Sequence, residues 1–188
     1  MKFDPTAYGP TVAAILALDG GGERLMPLAE GKCSSREALK KIETLAPDAL
    51  FPDSRSPQAA LSGLYLYFSC FDQAHEIAQS VESAEGAFWH GIVHRQEPDA
   101  SNARYWFRRV GKHPVFPELA AAAAQIAERA PDARVSFSSA WDPDRFIEIC
   151  ERARNQPASP LARVALETQR AEWQLLFDYC ACARSVAV

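Results

Sequence analysis

Two histidines four residues apart, His90 and His94, and a glutamate three residues further on, Glu97, form the densest set of potential ligands in this chain. At about 100° per residue on a helix, the three side chains point within roughly a quarter turn of one another. Two imidazoles and a carboxylate suit zinc or another divalent metal, with coordination positions left for water or a substrate. His113 lies in the same segment, Trp89 to Pro114. His90, His94, His113 and Glu97 are therefore the candidate acid–base groups, a histidine being the side chain whose ordinary pKa lies near neutrality. The competing reading is structural. The apolar stripe Phe88, Trp89, Ile92 and Val93 lies away from the His/Glu face, so in a two-layer packing that face turns to solvent. Gly91 stands where the zinc-protease helix motif carries its glutamate, and that excludes metalloprotease chemistry of that type.

Cations follow immediately. From Arg95 to Lys112 five basic residues (Arg95, Arg104, Arg108, Arg109, Lys112) face two acids (Glu97, Asp99), a local charge of +3 in a chain whose net charge is −4. Arg104 and Arg108 share one face of the expected helix, and Asn102, Tyr105 and Arg109 flank its apolar stripe of Ala103, Trp106, Phe107 and Val110. Arginine forks bind carboxylate or phosphate with two parallel hydrogen bonds, so Arg104, Tyr105, Arg108 and Arg109 are the candidate ligand-binding residues for a small anion. Alternatively, these arginines pair with acids of neighbouring helices. Gln169 joins the candidates because it falls near the centre of the apolar face of the last helix, with Glu172 on the edge. A polar side chain there needs partners if buried, and the arginine-rich segment can supply them, as a network or as a pocket floor.

Two other motifs fail on inspection. Asp19-Gly20-Gly21-Gly22 lacks an accompanying Gly-x-Ser-x-Gly elbow, and Gly31-Lys32-Cys33 lacks the hydroxyl residue and the earlier glycine of a phosphate-binding loop. Both read as turns.

Helices must position all of these residues. Apolar residues recur at helical spacing between Gly, Pro and Ser clusters, which gives an all-α, single-domain bundle of about seven helices over residues 1–188. The expected helices run from about Thr6 to Leu18, from Ser34 or Ser35 to before Pro47, as a pair between Pro57 and Val81, and as a second pair, Gly86 to Glu97 and Ser101 to Val110. Three more follow: Phe116 to Arg129, Asp142-Pro143 to about Ala153, and Leu161 to about Ala183, with residues 133–140 a loop.

The two pairs resemble tetratricopeptide-type hairpins when Ala74 and Ala103 are aligned as the small residue of the second helix. That likeness covers under a third of the chain and implies a concave face for a peptide or protein partner. A longer resemblance rests on Trp89-His90-x-Ile92-x-His94-Arg95-x-Glu97-x-Asp99, on Asn102-Ala103-x-Tyr105-Trp106-x-Arg108-Arg109-Val110-Gly111-x-His113-Pro114, on Trp141-Asp142-Pro143 with Phe146, and on Glu172-Trp173-Gln174-Leu175-Leu176-Phe177. It resembles a family of bacterial and fungal hypothetical proteins over roughly the C-terminal half. It implies a shared fold and carries no mechanism with it.

The acidic balance, with a pI near 5.6, argues against a nucleic-acid partner. The longest apolar stretch, Val12 to Leu18, is too short to span a bilayer, and no signal-peptide pattern opens the chain, so a cytoplasmic location is expected. Five dispersed cysteines without a CxxC pair predict reduced, mostly buried thiols. Three functions follow: a binding protein or enzyme for an anion, or for a divalent metal plus an anion; an interaction module; or a structural protein whose polar segment, Arg108 included, is a buried network.

Overall fold

A proline in the first turn, a polar cap residue just before it, or both open most of the helices. The computed structural model describes residues 3–183, and all of its regular structure there is helical. A 3-10 turn leads into α1 (Pro10–Leu16). Then come α2 (Arg36–Glu43), α3 (Pro47–Leu50), α4 (Pro57–Tyr67), α5 (Phe71–Ser80), α6 (Ala84–Gln96), α7 (Ala100–Val110), α8 (Phe116–Glu128), α9 (Pro143–Arg154) and α10 (Pro160–Ala181). The side chains of Ser35, Ser83, Asp99, Asp142 and Ser159 each accept a hydrogen bond from the backbone N–H three residues on, which satisfies a donor the helix cannot. The expected all-α fold is the one observed. Among the described residues ten α-helices form: each expected helical segment gives one, α1 in the Thr6-to-Leu18 segment being preceded by a 3-10 turn that ends at Gly9, and Pro47 starts the additional short α3.

The arrangement is built on two helices. α10 packs against α4, α8 and α9, and α6 packs against α4, α5 and α7. Trp173 of α10 donates its indole N–H to the Gly63 carbonyl of α4 at 2.7 Å and stacks with Phe177, and Tyr67 closes on the same ring. α6 lies in the middle, and every residue from Gly86 to Gln96 is buried. This overturns the expectation of a solvated His/Glu face. The reason is that α5 and α7 clasp α6 from both sides, so His90 and His94 are covered and only Glu97, past the helix end, keeps partial exposure. Gly91 is part of that clasp: a Cβ there would meet the Phe107 ring at 3.0 Å, so glycine lets α7 approach.

The glycine run Gly20, Gly21 and Gly22 is a turn, as the sequence implies; all three have positive φ, and the Tyr67 hydroxyl ties the turn down by accepting from Gly22 N at 2.9 Å. The cysteines correct the sequence expectation. Cys33 and Cys70 are paired as a disulfide with Cα atoms 4.6 Å apart, because the loop before α2 is held against the start of α5. Cys150, Cys180 and Cys182 are free. Among the described residues no helix is long and apolar enough to cross a membrane.

Candidate metal centre

α5 and α6 are consecutive antiparallel helices, and their contact brings His75 against His90 and His94. Ring centroids lie 4.7 Å apart for His75–His90, 5.0 Å for His75–His94 and 4.7 Å for His90–His94. Each ring offers one nitrogen to a common space, and these three nitrogens all lie within 4.8 Å of one another. His90 and His94 are buried, while the His75 side chain is 32% exposed and opens the cluster to solvent.

Glu97, just past the end of α6, approaches two of the rings. Its carboxylate lies 3.4 Å from His75 Nδ1 and 2.8 Å from His94 Nδ1, the latter off the hydrogen-bond direction. His90 differs from both. Neither of its nitrogens has a hydrogen-bond partner, and no other described side chain has two such buried atoms. One face of its ring stacks on Trp106 of α7, at 4.0 Å between centroids. Burial, and then the neighbouring imidazoles of His94 and His75, push its pKa down to about 3. The ring is therefore neutral, the form in which an imidazole nitrogen binds a metal.

His75 is the site residue that the sequence conceals. It lies 15 residues before His90, outside the Trp89-to-Pro114 segment, and only the packing of α5 on α6 connects them. His113 goes elsewhere. It is buried among Phe88, Phe116 and Tyr179, its Nδ1 accepts from Val115 N at 3.3 Å, and its Nε2 lies 4.0 Å from Glu85.

The arginines divide by helix face. Arg104 and Arg108 lie on one flank of α7, and Arg109 lies on the other with Tyr105 and Trp106, its guanidinium 5.3 Å from the Trp106 ring centre. None of the three forms an ion pair with a described residue, contrary to the reading that neighbouring acids hold them. Arg109 lines a cleft of about 710 Å³, along with Trp106, Gln79 and Ala87. Arg108, Arg109 and Tyr105 are exposed, and Arg104 is partly so.

Gln169 is held in a network on the opposite side of α6. Arg95, 1% exposed, donates to both carboxylate oxygens of Glu172 and, at 3.5 Å, to Gln169 Oε1. Gln169 Nε2 donates in turn to the carbonyls of Met26 at 2.9 Å and Pro27 at 3.1 Å. The polar groups of Gln169 are thus taken up inside the protein. The network expected around Gln169 exists, but its arginine is Arg95 and not Arg108, whose side chain leaves the core.

Other buried atoms such as Trp89 Nε1, Arg95 Nε and Gln96 Nε2 also lack partners, but among the described residues only the His cluster gathers several, namely both nitrogens of His90 and His94 Nδ1, around one shared space. No family model, curated protein or solved structure matches the chain. Its function has to be argued from the residues.

Proposed function

We propose that this chain is a metal-binding protein, with His75, His90 and His94 as ligands to a divalent transition ion and Glu97 as the group that orients two of them. The observation that carries this reading is His90: a buried, neutral imidazole with both nitrogens unbonded, facing two more imidazoles. A buried polar group without a partner costs roughly 1–3 kcal/mol, and an ion gives that nitrogen its bond. Three imidazoles suit zinc, copper, iron or nickel, and Zn–N bonds of about 2.0–2.1 Å need the nitrogens only modestly closer together than they stand.

The position of Glu97 supports the same assignment. With a carboxylate on the Nδ1 side of His75 and His94, each ring carries its proton there and turns Nε2 toward the ion, the usual carboxylate–histidine–metal relay. The sequence suggested Glu97 as a third ligand beside His90 and His94. In this reading His75 takes that place and Glu97 stands behind the rings. Three protein ligands leave a fourth position for water or a ligand, the pattern of a reactive rather than a purely structural centre, and the partly exposed His75 side gives access to it.

The test is titration of the metal-free protein with Co(II), followed by its visible absorption bands. One equivalent should saturate the bands in the wild type. His75→Ala, His90→Ala and His94→Ala should each weaken binding by at least about tenfold, the lower end of what loss of a ligand or its supporting contact costs. A wild type that binds no Co(II), Zn(II) or Ni(II) at micromolar protein would refute the reading.

A further inference from the structure

The cleft beside Trp106 begins where the His cluster ends. Ala87 and His90 are three residues apart on α6, Gln79 and His75 four apart on α5, and Trp106 and Arg109 three apart on α7. Each pair therefore shares a helix face. Ala87, Gln79, Trp106 and Arg109 line the cleft, together with Val81, Ala84 and two polar residues of the α5–α6 loop, Glu82 and Ser83. The cleft lining on α5 and α6 thus lies about one turn, roughly 5 Å along α6, from the histidines on the same helix faces. Trp106 belongs to both: its ring stacks on His90, and the residue lines the cleft.

The cleft is large enough for a small organic molecule, and its lining falls into two kinds. Val81, Ala84, Ala87 and the Trp106 ring are apolar. Arg109 is a cation that no described carboxylate neutralises, its guanidinium held beside the Trp106 and Tyr105 rings. Glu82 is the one acid in the lining, and it makes no ion pair with Arg109. With a divalent ion on the histidines, the charges of the ion and Arg109 outweigh those of Glu82 and Glu97, which leaves the groove positive.

We infer that this cleft binds an organic anion beside the metal, its carboxylate or phosphate gripped by Arg109 and its apolar body lying over Ala84, Ala87 and Trp106. This inference rests on the metal-centre reading, since the ion supplies much of the positive charge. It assigns the role of ligand anchor to Arg109 and withholds it from Arg104 and Arg108, which lie on the opposite flank of α7.

The experiment uses the Co(II)-loaded full chain and two probes, benzoate and phenyl phosphate, with binding measured by isothermal titration and the cobalt bands recorded in the same samples. At least one probe should bind saturably, and the preferred probe tells carboxylate from phosphate. Arg109→Ala should weaken that binding by about tenfold or more, as expected for loss of a charge-assisted pair, while its cobalt bands and stoichiometry stay those of the wild type. Arg108→Ala should match the wild type in both readouts. Normal cobalt bands with no saturable binding of either probe, or with binding unaffected by Arg109→Ala, would overturn the anion site and leave the metal centre standing. Absence of cobalt bands in the wild type would remove the metal centre and, with it, this inference.

Discussion

Replacing His90 with leucine should make the metal-free protein more stable and the metal-treated protein less so, and the size of both effects follows from the surroundings of the ring. His90 is 2% exposed and neither nitrogen is bonded. Removing an unsatisfied buried polar group recovers roughly 1–3 kcal/mol. Leucine is close to histidine in volume, so overpacking is small, but the stack on Trp106 is lost, at about 0.5–1.5 kcal/mol. The net gain is on the order of 1 kcal/mol, which for a chain of this length raises Tm by about 2–4 °C. Metal acts in the opposite sense. At 100 times its dissociation constant, an ion stabilises the wild type by about 2.7 kcal/mol, or roughly 5–11 °C, and the leucine variant lacks a ligand for it. The assay is a pair of thermal melts, one in chelator and one in excess Zn(II). The two proteins should change rank between them, with the variant melting higher in chelator and the wild type higher in zinc. A variant that melts several degrees below the wild type in chelator would show that the His90 imidazole is bonded within the protein, and the argument from its unmet bonding would fall.

The Arg95–Glu172 pair should behave as a buried couple. Arg95→Met or Glu172→Met alone strands the other charge and should cost about 3–5 kcal/mol, whereas the double substitution should recover most of that loss, as a double-mutant cycle in urea will measure. Arg108→Ala should change stability by no more than about 0.5 kcal/mol, since the side chain is exposed and makes no ion pair; a larger loss in the same titration would place it in a network. Burial, with help from Arg55 and against the pull of Glu85, holds the His113 pKa below its ordinary 6.5. The unfolded chain therefore takes up a proton there before the folded one does, and this part of the stability is present above about pH 6.5 and is lost as pH falls below it. His113→Asn should flatten the decline of Tm between about pH 7 and 5 relative to the wild type; an unchanged slope would exclude His113 as a source of it.

What could be read in the chain beforehand was whatever depends on neighbours in sequence. Ser35 and Asp142 before their helices, Pro98 between α6 and α7, and the alanine run of α8 are local signals, and the helices lie within a few residues of where these put them. His90, His94 and Glu97 share one helix, so their proximity is a matter of turn geometry alone. His75 was out of reach for the opposite reason. It has no fixed spacing to the others, and only the antiparallel contact of α5 with α6 sets its distance. The same gap explains the arginines: helix phase correctly separated Arg104 and Arg108 from Arg109, but it could not say which flank meets a cleft. Cys33 and Cys70, 37 residues apart, likewise pair through tertiary contact.

α6 itself offers the clearest argument for separating structure from function here. A helix packed on all sides has to bury whatever polar residues it carries, and α6 carries both Arg95 and His90 at 2% exposure or less. On one face the fold supplies Arg95 with Glu172 and Gln169, and Gln169 in turn holds two backbone carbonyls. That arrangement pairs the charge of Arg95 inside the protein and leaves its Nε as the one nitrogen of the guanidinium without a partner. On the groove face, His90 has an aromatic ring against it, two imidazoles before it and no partner for either nitrogen. A chain able to pair a guanidinium at the core of the same helix had apolar residues available for position 90, and leucine there removes the desolvation cost. The unsatisfied imidazole makes physical sense as a cost that binding of an ion recovers.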